Sequence, residues 1–273
     1  MAPIHRLSVR RRRHKKWFVK VFLLAIIIVS LVYASRNDLF LIDEVSVTGA
    51  ETIGTAVVRD FIEKEISGNF LWLFPKRNFV WYPKDGILDR LVSTFPKIKN
   101  ISIDLNRFST LQIHVSEHSS QLVWCDVDQL VTTPDGFCYF ITTDGFAFEK
   151  VDSNVKNVFI IRSKAISERV LGTEVIDPKR LASLLIFKDH VAQVLSFTEG
   201  TVEEGDDYSL KTSHGVRILF SGRKDIRESA EDLLTLLASS VFDERNIRPL
   251  EHFEKIDYID LRFGKKIFYK VKR

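Results

Sequence analysis

The chain has 273 residues, 45% of them hydrophobic and 28% charged, with 12 Gly, 7 Pro and 2 Cys. That composition excludes a wholly disordered chain, a collagen-like or linker-like one, a disulfide-dense scaffold and a multi-cysteine zinc module. The formal charge of +4 hides an asymmetry: the first 36 residues hold nine Lys or Arg and no acid, and the remainder carries 31 basic against 36 acidic residues, a net of −5, which argues against a nucleic-acid-binding body.

The N-terminus reads as a membrane signal. Residues 1–16 form a basic tail, and residues 17–35 begin with the run WFVKVFLLAIIIVSLVYA, whose one charge, Lys20, lies near its start. A spanning helix needs roughly 20 apolar residues. Lys20 can snorkel to the headgroups, and Trp17 and Tyr33 sit where interfacial aromatics belong. The positive-inside rule then keeps the tail in the cytoplasm and exports everything after Arg36. A cleaved signal peptide is the competing reading, with small or modest residues at Val32-Tyr33-Ala34. The run from Arg10 to Lys16 also has the composition of a site for nucleic acid or anionic lipid, although a topology determinant is the plainer reading.

Leu41 to Thr48 alternates at its end and stops at Gly49, which predicts a strand and a turn. Thr55 is placed to cap a helix whose apolar positions Val58, Phe61, Ile62 and Ile66 share one face, with Gly68 ending it. Asp85 is placed to cap a second helix through Leu88, Leu91, Val92 and Phe95, closed by Pro96. Two alternating runs follow, Ile101-Ile103-Leu105 and Leu111-Ile113-Val115. The order strand, helix, helix, strand, strand over residues 40–117 predicts a compact α+β unit with two helices on one sheet face.

A second region, residues 118–273, opens with strand-like Leu122-Val123-Trp124. Cys138 to Ile141 and Phe146 to Phe148 flank a hairpin turn at Thr142 to Gly145. Asp177-Pro178 starts a helix through Leu181, Leu184 and Leu185. Ser209 to Lys211 and Val216 to Phe220 flank another turn. Asp225 starts a helix with Ile226, Ala230, Leu233, Leu237 and Val241 on one face. Ile256 to Leu261 and Ile267 to Val271, broken at Gly264, end the chain. The region is strand-dominated with two helices, and a terminal edge strand is expected.

Motifs for chemistry are sparse. His114-Val115-Ser116-Glu117-His118 fits a zinc-protease pattern, H-x-x-E-H. That chemistry needs the two His one helical turn apart, and here they lie on a strand-like run. Positions four apart on a strand are about 13 Å from each other, too far for one metal. Glu203, Glu204, Asp206 and Asp207 surround Gly205 without calcium-loop spacing, which reads as a solvated turn. No catalytic residues, metal ligands, cofactor site or small-molecule substrate are indicated. A sheet ending in a strand can instead present an edge that accepts a partner strand. Phe263 to Val271 interleaves apolar and basic residues in the way such an edge would. Its plainer reading is a core strand whose lysines deter aggregation.

Five strings carry a resemblance: FLIDEVSVTGAETI at residues 40–53, GNFLW at 68–72, FPKIKNISI at 95–103, TLQIHVSEHSSQLVWC at 110–125 and YIDLRFGKKIFYK at 258–270. Together with their order and the single basic-flanked span, they resemble the FtsQ/DivIB family of bacterial cell-division proteins. The resemblance implies a POTRA-like domain at 40–117 and an FtsQ-type β-domain at 118–273. It implies a non-enzymatic scaffold at the division septum, linking FtsB/DivIC-like and FtsL-like bitopic partners to septal peptidoglycan synthesis. The matching partner-binding positions are Tyr258, Arg262, Phe263, Lys265, Ile267 and Tyr269. The adjacent Lys265 and Lys266 depart from the family pattern and suggest a basic rim favouring an acidic partner segment. Cys125 and Cys138 are not required by the family. An exported compartment permits a disulfide between them, closing a loop of about 14 residues, and two unpaired buried Cys is the alternative. The rival functions are a membrane-anchored envelope hydrolase, which would need paired carboxylates in a cleft, and another envelope binding module.

Overall fold

A computed structural model describes residues 6–106, 109–127, 138–151, 156–203, 205–239, 253–264 and 266–272. The chain divides into two compact units, Met1–Glu117 and His118–Arg273, in a mixed, strand-dominated α+β protein.

The first unit begins with helix α1, Arg6–Ser35. Its 19-residue stretch Trp17–Ser35 is apolar and almost wholly exposed, and at 1.5 Å per residue it is about 28 Å long, close to a bilayer's hydrocarbon thickness. It is therefore long and apolar enough to cross a membrane. After it come β1 (Glu44–Thr48), α2 (Thr55–Glu65), a small hairpin of β2 (Asn69–Phe70) and β3 (Phe74–Pro75), α3 (Lys84–Thr94), β4 (Ile98–Asn106) and β5 (Thr110–Glu117).

The main sheet of this unit has the order β1-β5-β4. β1 runs parallel to β5, with Val45 opposite Leu111 and Val47 opposite Ile113. β4 runs antiparallel to β5. Period-2 alternation puts Val45, Val47, Ile103, Leu111, Ile113 and Val115 into one buried cluster with Val58, Ile62 and Ile66 around α2 and Ile87 and Leu91 of α3. β1 stops at Gly49 for a steric reason. Its φ is +82°, and a Cβ there would lie 2.0 Å from the Val115 carbonyl oxygen, a position only glycine tolerates.

Two expectations need correction. Thr55 is the first residue of α2 rather than its cap; the cap is Gly54, which provides no side-chain hydrogen bond. Asp85 lies within the first turn of α3, capped by Pro83, where its charge faces the positive helix end. The β2–β3 hairpin is an element that the alternation rule cannot find, because two-residue strands are too short to show a period.

Among the described residues of the second unit, nine strands form one sheet in the order β14-β13-β12-β11-β10-β9-β6-β7-β8. They are β6 (Leu122–Asp126), β7 (Cys138–Ile141), β8 (Ala147–Lys150), β9 (Phe159–Ser163), β10 (Phe197–Val202), β11 (Asp207–Thr212), β12 (Arg217–Ser221), β13 (Ile256–Phe263) and β14 (Lys266–Val271). Parallel neighbours need a crossover. Helix α4 (Pro178–Val191) lies between the parallel pair β9 and β10, and α5 (Ile226–Ala238) between β12 and β13. Asp177 and Asp225 cap these helices, each accepting two backbone N–H bonds in the first turn. Val241, expected on the face of α5, lies outside the described residues.

Both helices bury their apolar faces against the sheet. Leu181, Leu184 and Phe187 of α4 and Ala230, Leu233 and Leu237 of α5 join the cluster that contains Trp124, Tyr208, Ile218, Phe220, Ile259 and Leu261. Phe187 stacks on Phe220 with centroids 4.0 Å apart, and Tyr208 stacks on Phe220 at 5.0 Å. Trp124 donates its indole N–H to Ser163 Oγ at 2.7 Å, which satisfies the polar atom of a fully buried ring. Strands β9 and β10 had no clear sequence signal. FIIRS is a short apolar run without alternation, and FTEGTV contains Gly200, which propensity disfavours. Packing explains that glycine: a Cβ would lie 2.9 Å from both Leu184 and Phe159.

Candidate interaction edge

The nine-stranded sheet ends in β14 on one side and β8 on the other. The two edges differ. Ala147 of β8 donates to the Thr173 carbonyl at 2.9 Å and accepts from Gly172 N–H at 2.8 Å, and Phe146 bridges Glu174. That edge is partly occupied by the chain's own loop. Among the described residues, no strand pairs with the far side of β14.

Residues of β14 alternate strictly. Ile267, Tyr269 and Val271 are half-buried and pack on the core. Lys266, Phe268 and Lys270 point the other way and are exposed. Two register rows cross the sheet on this outward side. One runs Lys270, Tyr258, Arg217, Lys211, Glu199. The other runs Phe268, Asp260, Leu219, Ser209, Thr201, Arg162, Cys125, Cys138.

The predicted partner residues therefore separate by role. Phe263 is 58% exposed, and its ring meets that of Phe268 edge-on at 5.3 Å. Tyr258 is half-buried between Lys270 and Arg217. Ile267 and Tyr269 are core-facing and hold β14 in place. Arg262 is bound to its own sheet: Nε and Nη2 donate to Asp260 at 2.9 and 2.7 Å, and Nη1 donates to Asp207 at 3.2 Å. The Asp260 hydrogen bond is the main reason that the guanidinium titrates above its already high ordinary range. Burial works to raise the Asp260 carboxyl, but the Arg262 bonds outweigh it and hold it below the usual carboxylate range. Lys265 lies outside the described residues, and Lys266 is exposed on β14. Lys270 Nζ is 3.5 Å from Asp257, which Arg217 also approaches at 3.8 Å. Phe268 was not among the matched positions; its signal was the alternation of KIFYKV, which leaves it alone among lysines on the outward side.

Cys125 and Cys138 form a disulfide. They are direct cross-strand partners on β6 and β7, with Cα atoms 4.3 Å apart, the spacing of a narrow antiparallel pair. The reading of two unpaired cysteines gives way to this pairing.

The other motifs fall into structural roles. His114 is on β5, a strand, and its Nδ1 is 2.6 Å from Thr48 Oγ1. The Glu117 carboxylate accepts the backbone N–H groups of Thr52 and Ile53. Burial opposes ionisation there, yet these bonds lower its pKa. His118 stacks on Phe148 at 5.3 Å. Among the described residues, no three His, Cys, Asp or Glu side chains converge as metal ligands. Of the acidic cluster, Glu204 lies outside the described residues. Asp206 and Asp207 sit 3.2 Å from Arg180 and Arg262, so this turn is tied to α4 and β13 rather than merely solvated. A shallow depression of about 380 Å³ on the outward sheet face is lined by Glu199, Thr201, Ser209, Lys211, Gly215 and Arg217. Its one carboxylate, Glu199, is held by Arg162.

Compared with known proteins, the chain matches no protein-family model and no curated protein.

Proposed function

We propose that this protein is a membrane-anchored, non-enzymatic scaffold of the FtsQ/DivIB type. α1 anchors it with the basic tail in the cytoplasm. The β-α-α-β-β first unit serves as a POTRA-like domain and the second as the family's β-domain, both on the exported side at the division septum. The second unit binds the exported segments of FtsB/DivIC-like and FtsL-like bitopic proteins, linking them to septal peptidoglycan synthesis.

One observation carries the reading. β14 is fastened to the core through Ile267, Tyr269 and Val271, while its other side has no described pairing and carries the exposed aromatics Phe263 and Phe268 beside it. Backbone groups of such an edge supply affinity to an added strand, and flanking aromatics supply specificity.

The test is binding of the full chain, in detergent, to the exported segments of the FtsB-like and FtsL-like proteins of the same organism. The Phe263→Ala/Phe268→Ala variant should weaken binding at least tenfold, about 1.4 kcal/mol, with an unchanged unfolding transition. Equal affinity for the two proteins would remove the edge from the reading, and no binding by the folded wild type would remove the reading itself.

A further inference from the structure

The turn between β2 and β3 presents a surface ill suited to water. Phe70, Leu71, Trp72 and Leu73 are 58, 69, 91 and 45% exposed. Single exposed apolar residues are ordinary, but a contiguous set marks a docking surface. Leu71 and Trp72 have φ of +48° and +65°, a region that glycine occupies without steric penalty and bulky residues avoid. Turn stability alone would select other residues here, so these side chains answer to another demand.

That turn is fastened to the end of the apolar helix. Arg36 Nη2 donates to the Leu73 carbonyl at 3.3 Å. Asn78, which is 1% exposed, donates to the Ser35 carbonyl at 2.9 Å. Ser35 closes the apolar stretch Trp17–Ser35, so in a bilayer it lies where the hydrocarbon gives way to headgroups. The turn is then held within one arginine side chain of that level. The headgroup layer is roughly 5–8 Å deep on each side. Trp favours that layer, and Leu and Phe favour its apolar margin. Trp81 braces the turn from behind: its Nε1 donates to the Pro75 carbonyl at 3.2 Å, and its ring meets Phe74 edge-on at 5.4 Å.

We propose that the Phe70–Leu73 turn docks into the lipid interface beside α1, with Trp72 at its tip. It gives the first unit a second membrane contact and removes the free swivel that a single-helix stalk allows. This inference requires α1 to span a bilayer and is independent of any division partner.

Full-length protein is reconstituted into phosphatidylcholine bilayers with and without brominated acyl chains. Tryptophan emission is compared between wild type and Trp72→Phe, which keeps an apolar ring at an exposed position. The difference spectrum isolates Trp72. Docking predicts blue-shifted emission for Trp72, quenched at least twofold by brominated lipid and shielded from aqueous iodide. Emission typical of water, open to iodide and indifferent to bromine, overturns the proposal. Emission that is blue-shifted yet insensitive to bromine also overturns it, because the turn is then covered by protein. Trp17, Trp81 and Trp124 remain in both proteins, so the bromine quenching that is lost on going from Trp72→Phe to Trp17→Phe/Trp72→Phe reports insertion of the anchor separately. If none is lost, α1 does not span the bilayer, and the proposal falls with it.

Discussion

Arg262 and Asp260, two residues apart on β13, join side chain to side chain through two hydrogen bonds of 2.7 and 2.9 Å. A register shift between Asp260 and Phe263 accompanies the contact. Asp260 is only 5% exposed, so its charge depends on Arg262. Arg262→Met should cost about 2 kcal/mol, the order expected when a buried charged acceptor loses its donor. Denaturant unfolding measures this. A residue acting only on a partner would leave the midpoint unmoved, so the experiment separates a structural role for Arg262 from a binding one.

Acid should act through the same contact. The Asp260 carboxyl has a lower pKa in the folded chain than in the unfolded one, where about 3.9 is ordinary. Its stabilisation is therefore complete above that value and is lost as pH falls through the folded value, because the unfolded state takes the proton first. Glu117 and Asp225 shift in the same direction and add to the slope. Asp260→Asn should flatten, but not abolish, the fall in unfolding midpoint between pH 5 and 2. A variant with the wild-type slope would show that Asp260 contributes nothing to acid sensitivity.

The disulfide between Cys125 and Cys138 closes a loop with a sequence separation of 13. On the chain-entropy account a bridge of this size stabilises by roughly 3 kcal/mol. Reductant should lower the melting temperature of the wild type by several degrees and leave Cys125→Ala/Cys138→Ala unaffected. Equal sensitivity of the two proteins to reductant would remove the bridge as the cause.

Much of this architecture could be read from residue order, and the exceptions share physical causes. Asp177 and Asp225 announce their helices because an Asp cap acts locally and leaves a local signature. β5, β14 and β4 from Ile101 onward alternate because one face of each meets the core. β9 alternates in burial but not in residue type, because the apolar Ile160 takes an outward, half-buried position. Gly200 looks like a strand breaker until Leu184 and Phe159 are seen to need its space. Within the candidate edge, residue types were legible but directions were not. Ile267 and Tyr269 proved to be fasteners, Arg262 a clamp, and Phe268 the exposed aromatic. The shifts in register along β13 decide those directions, and no periodicity reports them.

Asn78 joins the end of α1 to the body of the first unit. Its Nδ2 donates to the Ser35 carbonyl, its Oδ1 accepts from Val80 N–H at 2.9 Å, and its backbone bridges Leu41. Ser35 and Asn78 are both buried, so Asn78→Ala would strand a carbonyl and an amide without replacing either bond. Each such loss costs about 1–3 kcal/mol. The unit's core of Val58, Ile62, Ile87 and Leu91 is a separate cluster of side chains and should survive. Hydrogen exchange on the full chain in bilayers should therefore accelerate tenfold or more at residues 36–42 and 78–82, with β4 and β5 unchanged. Uniform acceleration across the unit would instead show that Asn78 holds up the whole fold, and no acceleration would show that the helix end is secured by other contacts.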